Sequence, residues 1–202
     1  MSAERFGPYD RDPVTTARLL LGQRLVRVDD GHRLAGIIVE TEAYLGADDR
    51  AAHTFGGRRT PRNEVMYREG GYAYVYFTYG MHHCLNVVCG GVGEGVAVLI
   101  RAIKPVEGVD AMWLRRPKAG RATDLCSGPG RVCQALSIDL SLNGTDLRTS
   151  GELFIEQARS RAISAKLIGR SPRIGVGYAG DWAQRPLRFF IRGNPHVSGR
   201  RI

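Results

Sequence analysis

The chain has 202 residues, 43% of them hydrophobic and 24% charged, and its 29 basic against 20 acidic residues leave a net charge of +9. That length fits one domain with room for a real core, and the composition argues against disorder. No apolar run approaches the length of a membrane span and the first residues lack an apolar signal core, so a cytoplasmic protein without membrane contact is expected.

In chain order, Asp12-Pro13 reads as an N-cap followed by proline at the first helical position, opening a short helix that stops near Gly22. Leu25 to Val28 reads as a strand, Asp29-Asp30-Gly31 as a hairpin turn, and Leu34 to Thr41 as a more buried returning strand. Glu40 and Glu42 share parity there and face one way while the strand stays extended; turn signals near Gly46 end it. Residues 54–71 form a polar, glycine-rich loop with Arg58, Arg59 and Arg62 around Pro61. Tyr72 to Thr78 is a strand, Tyr79 to His82 a turn, and Cys84 to Cys89 the return. Val96 to Ile103 is an apolar strand carrying one charge, Arg101. Val109 to Arg115 and Pro129 to Ser137 read as short helices, Leu153 to Glu156 and Leu187 to Ile191 as short strands. With no repeat or linker, the reading is one α+β domain over residues 1–202, built on a mainly antiparallel sheet.

The basic surplus favours a phosphate-bearing partner through counterion release. Only three of the basic residues are lysines (Lys104, Lys118 and Lys166), and an arginine-rich genome produces the same skew. Cys84, Cys89, Cys126 and Cys133 have spacings that match no common zinc pattern and read as buried reduced thiols. No metal and no cofactor is expected.

Two glutamates in an apolar strand are unfavourable unless paired or employed. One of Glu40 and Glu42 is therefore assigned chemistry and the other an arginine partner, with the choice left open. Asp48 and Asp49 read as turn or helix caps. Tyr72, Tyr74 and Tyr76 share a strand face, and Tyr72 and Tyr74 read as core. Tyr79 falls on the other parity at a turn before Gly80, where a large ring has little core to join and suits a wedge in a base stack. His53 alone would be a satisfied core histidine. A carboxylate beside aromatic rings on a basic chain points to a base taken out of nucleic acid, since chemistry on a paired base requires flipping. Two rivals remain. One is a metal-dependent nuclease or phosphoesterase with Glu40, Glu42, Asp48, Asp49 and His53 as ligands. The other is a non-catalytic nucleic-acid-binding module.

Glu40-Thr-Glu-Ala-Tyr-Leu-Gly46, Ala51-Ala-His53, Arg59-Thr-Pro-Arg-Asn63 and Tyr74-Val-Tyr-Phe-Thr-Tyr-Gly-Met81 resemble the alkyladenine (3-methyladenine) DNA glycosylase family of mammalian type, rather than the helix-hairpin-helix type. Cys126-Ser-Gly-Pro129, Gly175-Val-Gly-Tyr-Ala-Gly-Asp-Trp182 and Arg185-Pro-Leu-Arg-Phe189 continue the likeness in order. The resemblance implies a curved sheet flanked by short helices, with a protruding tyrosine-tipped hairpin. It implies a monofunctional enzyme of base excision repair that flips alkylated or deaminated purines from double-stranded DNA and hydrolyses the N-glycosidic bond. By the same resemblance Glu42 is the general base, and Tyr44, Ala51, His53, Tyr76, Asn86, Ile174 and Gly175 form the base pocket, with Asn86 crowding the amino group of guanine. Tyr79 and Met81 enter the duplex, while Arg101, together with Arg58, Arg59 and Arg62, meets the DNA backbone. A monomer is expected, associated with the nucleoid in a bacterial cell. His82 and Ile174 depart from the mammalian pattern, at positions that bear on lesion choice.

Overall fold

The computed structural model describes residues 4–199. Asp12 opens helix α1 (Pro13–Leu20), its carboxylate accepting from the Val14 and Thr15 N–H groups at 2.9 Å. Such a cap contributes about 1 kcal/mol. Pro13, Thr16, Ala17 and Leu20 recur at helical spacing and turn one face into the core.

Strands β1 (Arg24–Asp29) and β2 (His32–Tyr44) form a hairpin whose loop is Asp30-Gly31. Both loop residues have positive φ, 47° and 76°, which suits the twist of a two-residue hairpin. The helical 3-10 segments and β3 (Ala73–Thr78), β4 (His82–Cys89) and β5 (Val96–Glu107) follow, then helices α2 (Val109–Arg115) and α3 (Pro129–Leu136). Strands β6 (Leu153–Glu156), β7 (Ile168–Ser171) and β8 (Arg188–Ile191) complete the chain.

The eight strands make one antiparallel sheet, ordered β3-β4-β5-β2-β1-β6, with β8 joining β2 and β7 joining β8. Strand β2 is its axis. One edge of β2 pairs with β5 from Ala35 to Tyr44; the other pairs first with β1 and then, at residues 40–42, with β8. Helices α1 and α2 pack against β2, and its residues 38–43 are buried on both faces. The main core lies where Leu20 and Leu21, Ile38, Ile100, Met112 and Val132 meet. The four cysteines are free and buried.

The single α+β arrangement on an antiparallel sheet agrees with the sequence reading. The details differ in three places. Strand β2 runs to Tyr44 instead of stopping at Thr41, because β8 covers the edge that β1 leaves. Strand β5 continues to Glu107 along β2. Strand β7 was not expected: Ile-Gly-Arg-Ser has no alternation, and it pairs because Gly169 lets the Phe190 ring lie against it, where a Cβ would fall 2.2 Å from that ring. Among the described residues no helix is long and apolar enough to cross a membrane.

Candidate active site

A cavity of about 280 Å³ opens between the β3–β4 hairpin, the loop after β2 and the turn at residues 174–178. Tyr44, Ala51, His53, Tyr76, Asn86, Ile174 and Gly175, all predicted for a base pocket, line it, and so do Tyr79 and Arg101. Glu42 lies immediately behind this wall and is fully buried.

The register of β2 against β5 is irregular where the acids sit. Ile38 faces Ile103, Glu40 faces Ala102 and Thr41 faces Ile100, so Val39 and Arg101 each lack an opposite residue. Bulges of this kind re-aim side chains. Here Arg101 meets both carboxylates, its Nε donating to Glu40 Oε1 at 2.9 Å and its Nη1 lying 3.2 Å from Glu42 Oε1.

The two glutamates have different surroundings. Glu40 is saturated: besides Arg101 it accepts from Arg188 Nε at 2.6 Å, from the Ser198 N–H at 2.6 Å and from the Ser198 hydroxyl at 2.9 Å. Glu42 accepts from the Ile174 N–H at 2.8 Å through Oε1 and from the Tyr44 hydroxyl at 3.0 Å through Oε2. All three of its partners line the cavity. Burial pushes the Glu42 carboxyl above its ordinary range, although Arg101, the Ile174 N–H and the Tyr44 hydroxyl pull the other way. Burial lowers Arg101, but the Glu42 and Glu40 carboxylates outweigh it and raise the guanidinium above its usual value.

The aromatic wall comes from β2, the loop after it, and β3. His53 meets Tyr76 edge-on, with ring centroids 4.6 Å apart and planes at 75°. Its Nδ1 lies 2.8 Å from the Tyr74 hydroxyl. Burial, with the charges of Arg62 and Arg58, pulls His53 down to about 4; burial raises Tyr74 to about 12. Tyr74 is core, as the sequence reading has it, and its hydroxyl adds a contact to His53. Its ring is buried, but its hydroxyl belongs to the site. Asn86, opposite Tyr74 in the β3–β4 register, donates to the Tyr74 carbonyl at 3.2 Å.

At the turn between β3 and β4, Tyr79 is 80% exposed and Met81 70%. Tyr79 has φ 51° and Gly80 φ 66°. A bulky residue in the left-handed region is strained by roughly 1–2 kcal/mol. Arg62 reaches this hairpin and donates to the Phe77 carbonyl at 3.0 Å, Arg59 is paired with Glu64 at 2.8 Å, and Arg58 is exposed. Arg101 lines the cavity and sits between the two glutamates. Only 6% exposed, it is held inside by two carboxylates whose burial demands a counter-charge.

Asp49 behaves as a cap, accepting from the Leu45 and Ala51 N–H groups at 3.0 Å, and it also pairs with the buried Arg173 at 2.8 Å. The ligand set needed by a metal-dependent nuclease is not assembled. Glu40 and Asp49 are occupied by arginines, and among the described residues no three His, Cys, Asp or Glu side chains gather as a metal site. Tyr178, which the sequence reading quoted within a motif but gave no role, stands 71% exposed on the cavity rim, its hydroxyl 3.4 Å from the Ala51 carbonyl. Its signal was its place in the Gly175–Trp182 motif of the family resemblance.

Residues 7–195 match the family described as methylpurine-DNA glycosylase. A mouse protein named DNA-3-methyladenine glycosylase is 47% identical over 205 residues, covering 96% of this chain and 61% of that protein. The human protein of that name is 44% identical over 199 residues, covering 94% and 66%. The chain thus spans less than two thirds of these mammalian relatives. A Methanocella arvoryzae protein named putative 3-methyladenine DNA glycosylase is 48% identical over 192 residues, covering 95% and 94%.

Proposed function

The chain belongs to the methylpurine-DNA glycosylase family, and we propose that it is a monofunctional DNA glycosylase of base excision repair. Acting as a monomer on double-stranded DNA, it takes an alkylated or deaminated purine out of the duplex and hydrolyses its N-glycosidic bond. A protein with this task works in the compartment that holds the DNA, the nucleoid in a bacterial cell.

The observation that carries this reading is the placement of Glu42. A fully buried carboxylate stands directly behind an aromatic cavity and touches three of its lining residues. Cleavage of an N-glycosidic bond passes through an oxocarbenium-like state. A carboxylate there aims a water at C1′ and stabilises the growing positive charge. A carboxylate oxygen accepts two hydrogen bonds; Glu42 Oε2 accepts one from Tyr44 and keeps capacity for that water. Tyr44, His53 and Tyr76 stack on the base, and an electron-poor alkylated ring gains roughly 0.5–2 kcal/mol from such faces. Tyr79 enters the gap in the duplex with Met81 beside it, while Arg58, Arg59 and Arg62 meet the phosphates. Asn86 bars guanine. Arg101 holds the charge of Glu42 in place. Among the described residues no lysine lines the cavity, which favours water over an amine as the nucleophile.

The test is release of free base from a panel of duplexes, each with one defined modified purine, in excess EDTA. Free base with an intact abasic strand is expected. Strand scission that EDTA abolishes, or tight binding with no release from any duplex, would overturn the reading in favour of a nuclease or a binding module.

A further inference from the structure

Gly193, Asn194 and Pro195 turn the chain after β8. Gly193 has φ 72°; the Asn194 side chain accepts from the His196 N–H at 3.0 Å and its carbonyl from the Val197 N–H at 3.3 Å. An asparagine bonded to the backbone two residues on makes such a turn. The turn carries Ser198 back to Glu40 of β2, where it is 6% exposed. All three of its polar groups enter the buried charge network there. The N–H donates to Glu40 Oε2 at 2.6 Å, the hydroxyl donates to Glu40 Oε1 at 2.9 Å, and the carbonyl accepts from Arg188 Nη2 at 2.7 Å. The hydroxyl oxygen also accepts from Arg101 Nη2 at 3.4 Å. Arg101 thus has a different partner at each nitrogen: Glu40 at Nε, Glu42 at Nη1 and Ser198 at Nη2.

We propose that Ser198 is a positioning residue that fixes the plane of the Arg101 guanidinium, so that two carboxylates competing for one cation share it and Nη1 stays on Glu42. That Glu42 is a general base rests on the glycosylase reading; the geometry of the network does not. A guanidinium is a rigid planar fork. Held only by Glu40 and Glu42 it can swing toward either, and a contact on the remaining nitrogen sets its plane. Glu40 is the nearer competitor, at 2.9 Å against 3.2 Å for Glu42. The Ser198 N–H and hydroxyl, with Arg188, satisfy Glu40 and limit its claim on Arg101. Attraction between buried charges falls with separation, so a small swing toward Glu40 weakens the hold on Glu42. The charged and titratable groups facing Glu42 are Glu40 and Tyr44 from β2, Tyr76 from β3, Cys84 from β4, Arg101 from β5, and Arg173 beside the Ile174 turn. Burial raises the Glu42 carboxyl, and Arg101 pulls it down more than any other group. Its titration therefore reports where that guanidinium sits.

Ser198→Ala in the full chain removes one oxygen and leaves the backbone bonds to Glu40 and Arg188 in place. Carbon-13 NMR of the glutamate carboxyls, with Glu42 assigned through Glu42→Gln, reads its titration without any substrate. The midpoint in Ser198→Ala should lie about one pH unit above that of wild type, the lower end of what an adjacent arginine is worth. Single-turnover base release should follow, roughly tenfold slower below both midpoints and near the wild-type rate above them. Ser198→Thr keeps the hydroxyl and should keep the wild-type midpoint. Leu153→Ala, a change in the core at the β6 edge of the sheet, should lower the melting temperature without moving the midpoint. An unchanged Glu42 midpoint in Ser198→Ala would overturn the proposal, and so would an equal shift in Leu153→Ala. A shifted midpoint in Ser198→Ala, with no base release from any duplex by the wild type, would instead overturn the glycosylase reading and leave Ser198 its role.

Discussion

The Ile174 backbone N–H donates to Glu42 Oε1 at 2.8 Å, so the turn that walls one side of the cavity also holds the carboxylate behind it. The proposed general base and part of the proposed base pocket are therefore one mechanical unit. Residue 174 meets Glu42 through its backbone and also lines the cavity.

Glu42→Gln should abolish base release while lesion-containing duplex stays bound about as well, because the change removes a proton acceptor but little volume. Loss of the general-base contribution alone is worth roughly 10²–10⁴-fold. Single-turnover release beside a gel-shift titration measures both; excision near the wild-type rate would transfer the role elsewhere.

The raised Glu42 titration gives a pH signature. Release needs the carboxylate, so the rate should climb with pH through a midpoint above the ordinary value of about 4.3. Stability should move the other way. A carboxyl raised in the folded state contributes stability that is present below its unfolded value and lost as pH rises through the folded one. Melting temperature against pH in wild type and Glu42→Gln checks the sign, and the mutant should lack that slope.

Glu40→Ala should act on stability first. The buried Arg101 and Arg188 would lose their shared acceptor, at roughly 3–5 kcal/mol. Denaturant unfolding measures this. A mutant of wild-type stability with no base release would exchange the roles of the two glutamates.

The resolution of that pair shows where sequence reading stops. Strand periodicity placed Glu40 and Glu42 on one face because successive side chains alternate. It could not assign them, since their donors Ile174, Arg188 and Ser198 lie more than a hundred residues on and reach them only through folding. The Asp30-Gly31 hairpin and the Asp12 cap were legible because their causes are local. The pairing of Arg101 with both glutamates was not legible because it depends on a register irregularity between β2 and β5. Tyr74 was read as core because alternation reports inside or outside, not what a hydroxyl meets there. The remaining pocket residues came from the family resemblance, which carries long-range information that a single sequence lacks.

Tyr79→Ala should weaken binding to lesion duplex more than to undamaged duplex, because a flipped nucleotide leaves a gap and the wedge offsets part of an unstacking cost of a few kcal/mol. Tyr79→Gly should lose the same affinity yet melt no lower than wild type, since glycine relieves the left-handed strain. Equal losses on both DNAs would make Tyr79 ordinary surface.

Asn86→Ala should relax discrimination against guanine. Asn86 is buried against the cavity with its amide on the Tyr74 carbonyl, so a guanine amino group there meets a clash and an unpaired donor. The measure is the ratio of 7-methylguanine to hypoxanthine excision. An unchanged ratio with a lowered melting temperature would leave Asn86 a purely structural role.

The long reach of the Ile174, Arg188 and Ser198 bonds has a consequence for biosynthesis. The ribosome delivers β2 and the tyrosine hairpin first, when Glu40 and Glu42 have none of these later partners. A nascent chain therefore carries the rings of the proposed base pocket before it has the donors that hold the two carboxylates. A product truncated before Ile174 would lack all three of these donors and leave both glutamates without them.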